Sequence, residues 1–214
     1  MLLTPRISDI KEKTVLVRVD FNVPLRQSKS KKGEVYWQVA DDQRLSNALE
    51  TIHFLLENKA KVILISHLGR PEGKVKAAES LRPVAQYLRR NFALAVNFAP
   101  DCVGPQAEKA AQELQEGEIL LLENLRFHAE EEKNDPAFAG ALAKLADVYI
   151  NEAFSASHRA HASIVGIPKL LPAFAGFALA FEEQMLNSIL QKAKAPFVVI
   201  MGGAKIADKV QTIK

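Results

Sequence analysis

Four apolar, strand-like runs in this chain each end abruptly in a short polar loop. Residues 14–19 lead into Asp20-Phe21-Asn22, 61–66 into His67-Leu68-Gly69-Arg70, 118–122 into Glu123-Asn124-Leu125-Arg126, and 147–150 into a loop that reaches His158 and Arg159. The runs are apolar on both parities, as in Val15-Leu16-Val17 and Val62-Ile63-Leu64-Ile65, which is the mark of strands covered on both faces. In an open parallel sheet the loops leaving the carboxyl ends of the strands share one edge, and ligands bind there. Residues a hundred positions apart can therefore pool their cations around one small anion, which predicts a pocket for a phosphorylated or carboxylated metabolite.

Between the runs lie helical patterns. Residues 41–58 carry Leu45, Ala48, Leu49, Ile52 and Leu55 at helical spacing. Residues 80–90 open on Ser80 as an N-cap and close on two arginines, which suit the negative end of the helix dipole. Residues 105–115 and 136–146 each begin with proline at the first helical position, the second behind the capping Asp135. A further strand is expected within 92–98 and an amphipathic helix over 181–193. The alternation predicts an α/β fold, a doubly wound, Rossmann-like parallel sheet with helices on both faces. Residues 196–201, a new buried strand, and the helical start at 206–214 read as the first strand-helix unit of a second α/β domain.

Composition narrows the function. With 214 residues, 48% of them hydrophobic and 25% charged, the chain is an ordinary soluble type. A net charge of +3 and 7% aromatic residues do not support nucleic-acid binding. Cys102 is the single cysteine, so an internal disulfide is impossible, in keeping with a reducing cytoplasm. No signal peptide or membrane span is predicted. The lysine-rich stretch 27–33 reads as a solvated hairpin tip, and Glu130-Glu131-Glu132 as a solvated turn.

Arg70, Arg126 and Arg159 follow strands, and Arg44 lies near the start of the first long helix; guanidinium groups grip phosphate or carboxylate bidentately. Asp20 can accept from a substrate hydroxyl, Asn22 adds a polar contact, and Gly69 beside His67 allows close backbone approach. His158 reads as an anion contact beside Arg159. A metal site shared with His161 lacks a third ligand at a telling spacing, and no metal site is predicted. Gly202-Gly203-Ala204-Lys205 after a strand is similar to a phosphate cradle. It is not a Walker A sequence, and no G-x-G-x-x-G follows the first strand.

Taken together, Arg18-Val19-Asp20-Phe21-Asn22-Val23-Pro24, Ser66-His67-Leu68-Gly69-Arg70-Pro71, Leu122-Glu123-Asn124-Leu125-Arg126-Phe127, His158-Arg159-Ala160-His161-Ala162-Ser163 and Gly202-Gly203-Ala204-Lys205 resemble phosphoglycerate kinase, in order and spacing along essentially the whole chain. The resemblance implies an enzyme of glycolysis, cytoplasmic and monomeric when complete. Such an enzyme moves a phosphoryl group reversibly between ATP and the carboxylate of 3-phosphoglycerate, giving ADP and 1,3-bisphosphoglycerate. It implies a 3-phosphoglycerate domain over 1–180, an interdomain helix over 181–194, and the start of a nucleotide-binding domain over 195–214. Asp20, Phe21, Asn22, His67, Leu68, Gly69, Arg70, Arg126, His158 and Arg159 would surround 3-phosphoglycerate. Arg44, at the substrate carboxylate, and Lys205, from the other domain, would stabilise the transferring group. Gly202, Gly203, Lys205 and Lys209 would meet the nucleotide, whose magnesium would be held mainly by a domain beyond these residues. On this reading the 214 residues alone are not expected to turn over.

The chain also departs from the family's usual pattern. Glu152 stands where aspartate is common, Ser155-Ala156-Ser157 where glycine-threonine-alanine is common, and the segment 27–39 is longer than the usual turn. The rival reading is a non-catalytic module for anionic metabolites or partner proteins, against which Arg44 and Lys205 speak.

Overall fold

The computed structural model describes residues 3–29, 33–193, 195–198 and 200. Its strands are β1 (Thr14–Arg18), β2 (Leu25–Lys29), β3 (Val35–Val39), β4 (Lys61–Ile65), β5 (Val96–Phe98), β6 (Ile119–Leu121), β7 (Val148–Asn151) and β8 (Ala173–Ala175). Six of them form one sheet in the order β5-β6-β4-β1-β7-β8, and every pairing in it is parallel. The other two, β2 and β3, make a separate antiparallel hairpin; of the lysine-rich stretch expected to be a solvated tip, residues 30–32 lie outside the described ones.

The helices are α1 (Ile7–Ile10), α2 (Gln43–Asn47), α3 (Leu49–Glu57), α4 (Arg82–Asn91), α5 (Pro105–Glu113), α6 (Ala129–Glu132), α7 (Pro136–Ala143) and α8 (Phe177–Lys192). Continuous apolarity along the strands reflects two separate cores. Val15, Val17, Val62, Leu64, Ile119 and Leu121 face Ile52 and Leu55 of α3 and Val84 and Leu88 of α4. Leu16, Ile63, Ile65, Leu120 and Tyr149 face Ala107 of α5 and Leu142 of α7. Each strand thus loses apolar surface on both sides, at roughly 25 cal/mol per Å². Arg18 continues the parity of Leu16 and is therefore driven into the second layer, where it is 1% exposed.

Several expectations need correcting. The helix foreseen over 41–58 is two, because Ala48 N–H bonds back to Leu45 O (3.2 Å) and tightens the turn there. Ser80 is not the N-cap residue; α4 starts at Arg82, and the Ser80 hydroxyl instead accepts from the Arg82 amide (3.2 Å). Asp135 does cap α7, accepting from Phe138 N–H at 2.9 Å. Helix α8 begins at Phe177, four residues before the expected start, because Gly176 brings the chain straight off β8. Of the strand foreseen at 196–201, Phe197, Val198 and Ile200 are described and are 56%, 76% and 94% exposed. They lack strand pairing, and a strand is buried only by neighbours.

The chain leaves β1 toward β4 on one side and leaves β7 toward β8 on the other. Their carboxyl ends are level, Arg18 standing opposite Ile65 of β4 and Asn151 of β7. This divergence is the topological switch point at which open α/β sheets bind ligands.

Candidate functional site

Short side chains lash the loops above the switch point together. Ser66 Oγ accepts from Phe21 N–H (2.9 Å), and Asn22 Oδ1 accepts from Gly69 N–H (2.9 Å). Asn124 clasps Leu68 from both sides, its Oδ1 accepting from Leu68 N–H (3.2 Å) and its Nδ2 donating to Leu68 O (2.7 Å). Arg126 Nη1 donates to Gly69 O at 2.8 Å. Gly69 has φ +65°, which strains other residues, and a Cβ on it would stand 2.6 Å from Glu79 Oε1, so any larger residue would also have to move the Glu79 carboxylate.

These bonds assign the predicted residues unequally. Phe21 and Leu68 are core side chains, and the Phe21, Leu68 and Gly69 amides are spent on the frame. Asn22 holds the frame through Oδ1, while its amide NH₂ makes no hydrogen bond among the described residues. Asp20 Oδ2 accepts from Arg44 Nη1 (2.5 Å) and from Ser155 Oγ (2.5 Å), joining the loops after β1 and β7. Arg70 is exposed, and its backbone amide is held by Glu79 Oε1 at 3.3 Å. His158 is exposed and Arg159 half-buried. The Arg159 guanidinium has no ion pair among the described residues, yet its charge is felt at His67, Arg126 and His161. Arg126 Nε lies 3.1 Å from Glu132 Oε1, an ion pair without hydrogen-bond alignment, so this buried N–H lacks an acceptor. Gly202, Gly203, Lys205 and Lys209 lie outside the described residues.

His67 sits at the centre of the cations. It is 7% exposed, and its pKa falls to about 2, first because of burial and then because of Arg18, Arg126, Arg159 and His161. The unfolded chain therefore takes up a proton below about pH 6.5 that the folded chain refuses, so stability falls as pH drops below that point. One such proton is worth at most about 1.4 kcal/mol per pH unit. In urea unfolding, His67→Gln is expected to show a shallower acid limb between pH 6.5 and 4.5 than the parent; parallel limbs would mean that His67 charges normally in the fold.

Residues that sequence reasoning missed hold this centre from below. Arg18 Nη2 lies 3.0 Å from His67 Nδ1, and its Nε donates to Ser163 Oγ at 3.1 Å. Ser163 in turn donates to Glu131, which is 0% exposed. The expectation of a solvated turn at 130–132 is therefore wrong at its middle residue. Ser66 and Asn124 gave one faint signal, a hydroxyl and an amide just past the end of a strand.

A cavity of about 540 Å³ opens at the opposite edge of the sheet, beside Thr14, Lys61 and Asp147. The Asp147 carboxylate there accepts from Thr14 N–H at 2.9 Å. None of the four arginines reaches it, so size alone does not locate the site; convergent charge does.

The family model described as phosphoglycerate kinase matches residues 6–214. The chain belongs to the phosphoglycerate kinase family. Phosphoglycerate kinase of Moorella thermoacetica is 52% identical over 212 residues, which cover 99% of this chain and 52% of the relative. That of Desulforudis audaxviator is 52% identical over 211 residues, with 99% and 52% covered. The crystal structure of phosphoglycerate kinase from Pyrococcus horikoshii OT3 superposes with a TM-score of 0.83 at 30% identity, covering 95% of this chain and 49% of that one. The Coxiella burnetii phosphoglycerate kinase structure gives 0.76 at 32% identity, covering 94% and 48%. The chain thus spans about half the length of the curated relatives it matches. The α/β sheet is as expected, and among the described residues no helix is long and apolar enough to cross a membrane.

Proposed function

We propose that this chain supplies the 3-phosphoglycerate side of a glycolytic phosphoglycerate kinase, which transfers a phosphoryl group reversibly between ATP and the substrate carboxylate in the cytoplasm. The carrying observation is the convergence of His67, Arg126 and Arg159 at the switch point, where, among the described residues, Arg126 keeps an unsatisfied buried N–H and Arg159 a guanidinium without an ion pair. An anionic group is what such a cluster lacks. In this reading Arg126, Arg159, His67, His158 and Arg70 hold the phosphate, and Asp20 and Asn22 the substrate hydroxyl. Arg44 turns from Asp20 to the carboxylate, and Arg44 and Lys205 neutralise the moving phosphoryl group. Phosphoryl transfer needs positioning and charge neutralisation more than covalent help.

The domain assignment follows the same reading: 1–180 for 3-phosphoglycerate, 181–194 as connector, and 195–214 opening a domain that binds ATP or ADP through Gly202, Gly203, Lys205 and Lys209. Magnesium belongs to the nucleotide. Among the described residues the one group of three metal-capable side chains is Asp101, Cys102 and His128. Its thiol and imidazole suit softer ions than magnesium, so that group does not fit the ion. The 214 residues are proposed to bind 3-phosphoglycerate one to one without measurable turnover, and the complete enzyme to be a monomer with no nucleic-acid or membrane partner.

Calorimetric titration with 3-phosphoglycerate tests the reading. Saturable binding to the parent chain is expected, weakened at least about tenfold in Arg159→Ala, since a charge-assisted hydrogen bond is worth about 1.5–3 kcal/mol. Arg159 supports no other described side chain, so the variant should unfold with the parent. A folded parent that releases no heat, or a variant that binds as tightly, would remove the reading.

A further inference from the structure

We propose that Glu131 and Ser163 are positioning residues that act through Arg18 to hold the His67 imidazole as a neutral donor with its proton on Nε2. The proposal rests on the reading that His67 contacts the substrate phosphate, but its first test needs no substrate.

The chain of contacts is directional. Guanidinium nitrogens only donate. Arg18 Nη2 stands 3.0 Å from His67 Nδ1, so Nδ1 must accept, and the single proton of a neutral imidazole must sit on Nε2. Arg18 is held in that pose at its other nitrogens. Nη1 donates to Val19 O, and Nε donates to Ser163 Oγ at 3.1 Å. Having accepted from Arg18, the Ser163 hydroxyl passes its own proton toward Glu131 Oε1 at 2.5 Å, while Ser163 N–H donates to Glu131 Oε2 at 2.9 Å. Tyr149 OH fixes the same residue by donating to Ser163 O at 2.6 Å. A fully buried carboxylate thereby balances a fully buried guanidinium through one hydroxyl.

Balancing the charge of Arg18 does not by itself require a bond to His67. That contact sets which nitrogen of the ring carries the donor. The groups facing His67 are Arg18 from β1, Arg126 from the loop after β6, and Arg159 and His161 from the segment after β7. None of the three arginines offers an acceptor for an Nδ1 proton, and Nδ1 itself stands against Arg18 Nη2. Behind them, Glu131 of α6 is 3.8 Å from His161 Nδ1, and Glu132 pairs with Arg126. A phosphate monoester changes charge near pH 6. A donor that does not itself titrate there adds no charge change of its own to that of the ligand.

The test is long-range ¹H–¹⁵N NMR of the ring-labelled 214-residue chain between pH 5 and 8. A single Nε2–H tautomer of His67 across that range is expected. An Nδ1–H tautomer, or a protonation midpoint inside the range, overturns the proposal. In Ser163→Ala the tautomers are expected to mix and 3-phosphoglycerate to bind about fivefold more weakly, the worth of one misplaced hydrogen bond; Ser163→Thr, which keeps the hydroxyl, should restore both. A merely structural role would lower stability while leaving the tautomer of Ser163→Ala unchanged, and that result also overturns it. If Ser163→Ala fails to fold, Glu131→Gln carries the same test with nearly the same shape. Calorimetry on the parent separates the two readings. Absent 3-phosphoglycerate binding with the Nε2–H tautomer intact removes the substrate reading alone, whereas normal binding with the wrong tautomer removes the positioning role alone.

Discussion

Replacing Arg18 with methionine is expected to remove about 3–5 kcal/mol of stability, the usual loss when one partner of a buried charge pair is deleted. Arg18 and Glu131 are buried in the layer beneath the switch point, and they meet through the Ser163 hydroxyl rather than by direct contact. Methionine fills much of the volume but leaves Glu131 as an uncompensated charge. Burial pushes the Arg18 guanidinium down from its ordinary value, and Glu131 is the largest influence in the opposite direction. The arginine nonetheless stays charged at any working pH. Urea unfolding of Arg18→Met, Glu131→Gln and the double variant gives the check. The double variant should recover at least half of the Arg18→Met loss, because neutralising Glu131 removes the orphaned charge. Additive losses, or a single-variant loss below about 1 kcal/mol, would show that Glu131 does not need Arg18.

That pair also marks where the sequence stops being legible. The sheet was readable because Val15 and Val17 enter one core and Leu16 the other, so its central strands show as apolar runs without alternation. Arg70, Arg126, His158 and Arg159 were readable because they stand just beyond such runs. Arg18 stands inside one, and its burial depends on Ser163, which is 145 residues away in sequence. Glu131 looked solvated because it has acidic neighbours on both sides; what buries it is Ser163, reached only when the one-turn π-helix Ala162–Gly166 folds over α6. Ala173–Ala175 showed no strand signal, since three small or aromatic residues have no period, and it becomes a strand only by pairing with β7. The loop-to-loop bonds of Ser66, Asn22 and Asn124 are likewise properties of the assembled edge.

The other large effect is expected at Gly176. Its backbone has φ −70° and ψ 167°, a conformation open to any residue, so the demand is for space alone. A Cβ there would fall onto the Glu152 carboxylate. That carboxylate ties three elements together: it accepts from Thr51 Oγ1 of α3 at 2.8 Å and from the amides of Ala178 (3.1 Å) and Leu179 (3.5 Å) in the first turn of α8. Burial raises the Glu152 pKa against the lowering effect of those donors, so displacing it from them removes what makes its charge tolerable. Gly176→Ala should therefore cost about 3 kcal/mol, overpacking and lost buried hydrogen bonds together. The damage should concentrate in α8. Its outer face leaves Phe181, Met185, Leu186, Ile189 and Leu190 exposed, and its anchorage lies at its start, where Phe177 packs edge-on against Phe54 at 5.1 Å between ring centroids. Hydrogen exchange should quicken across 177–192 before it does so in β1, β4 or β6. Glu152→Asp, one methylene shorter, should relieve the clash and restore part of the stability in the Gly176→Ala background. Uniform acceleration across the sheet, or no rescue by aspartate, would show that this glycine serves something other than the seat of the Glu152 carboxylate.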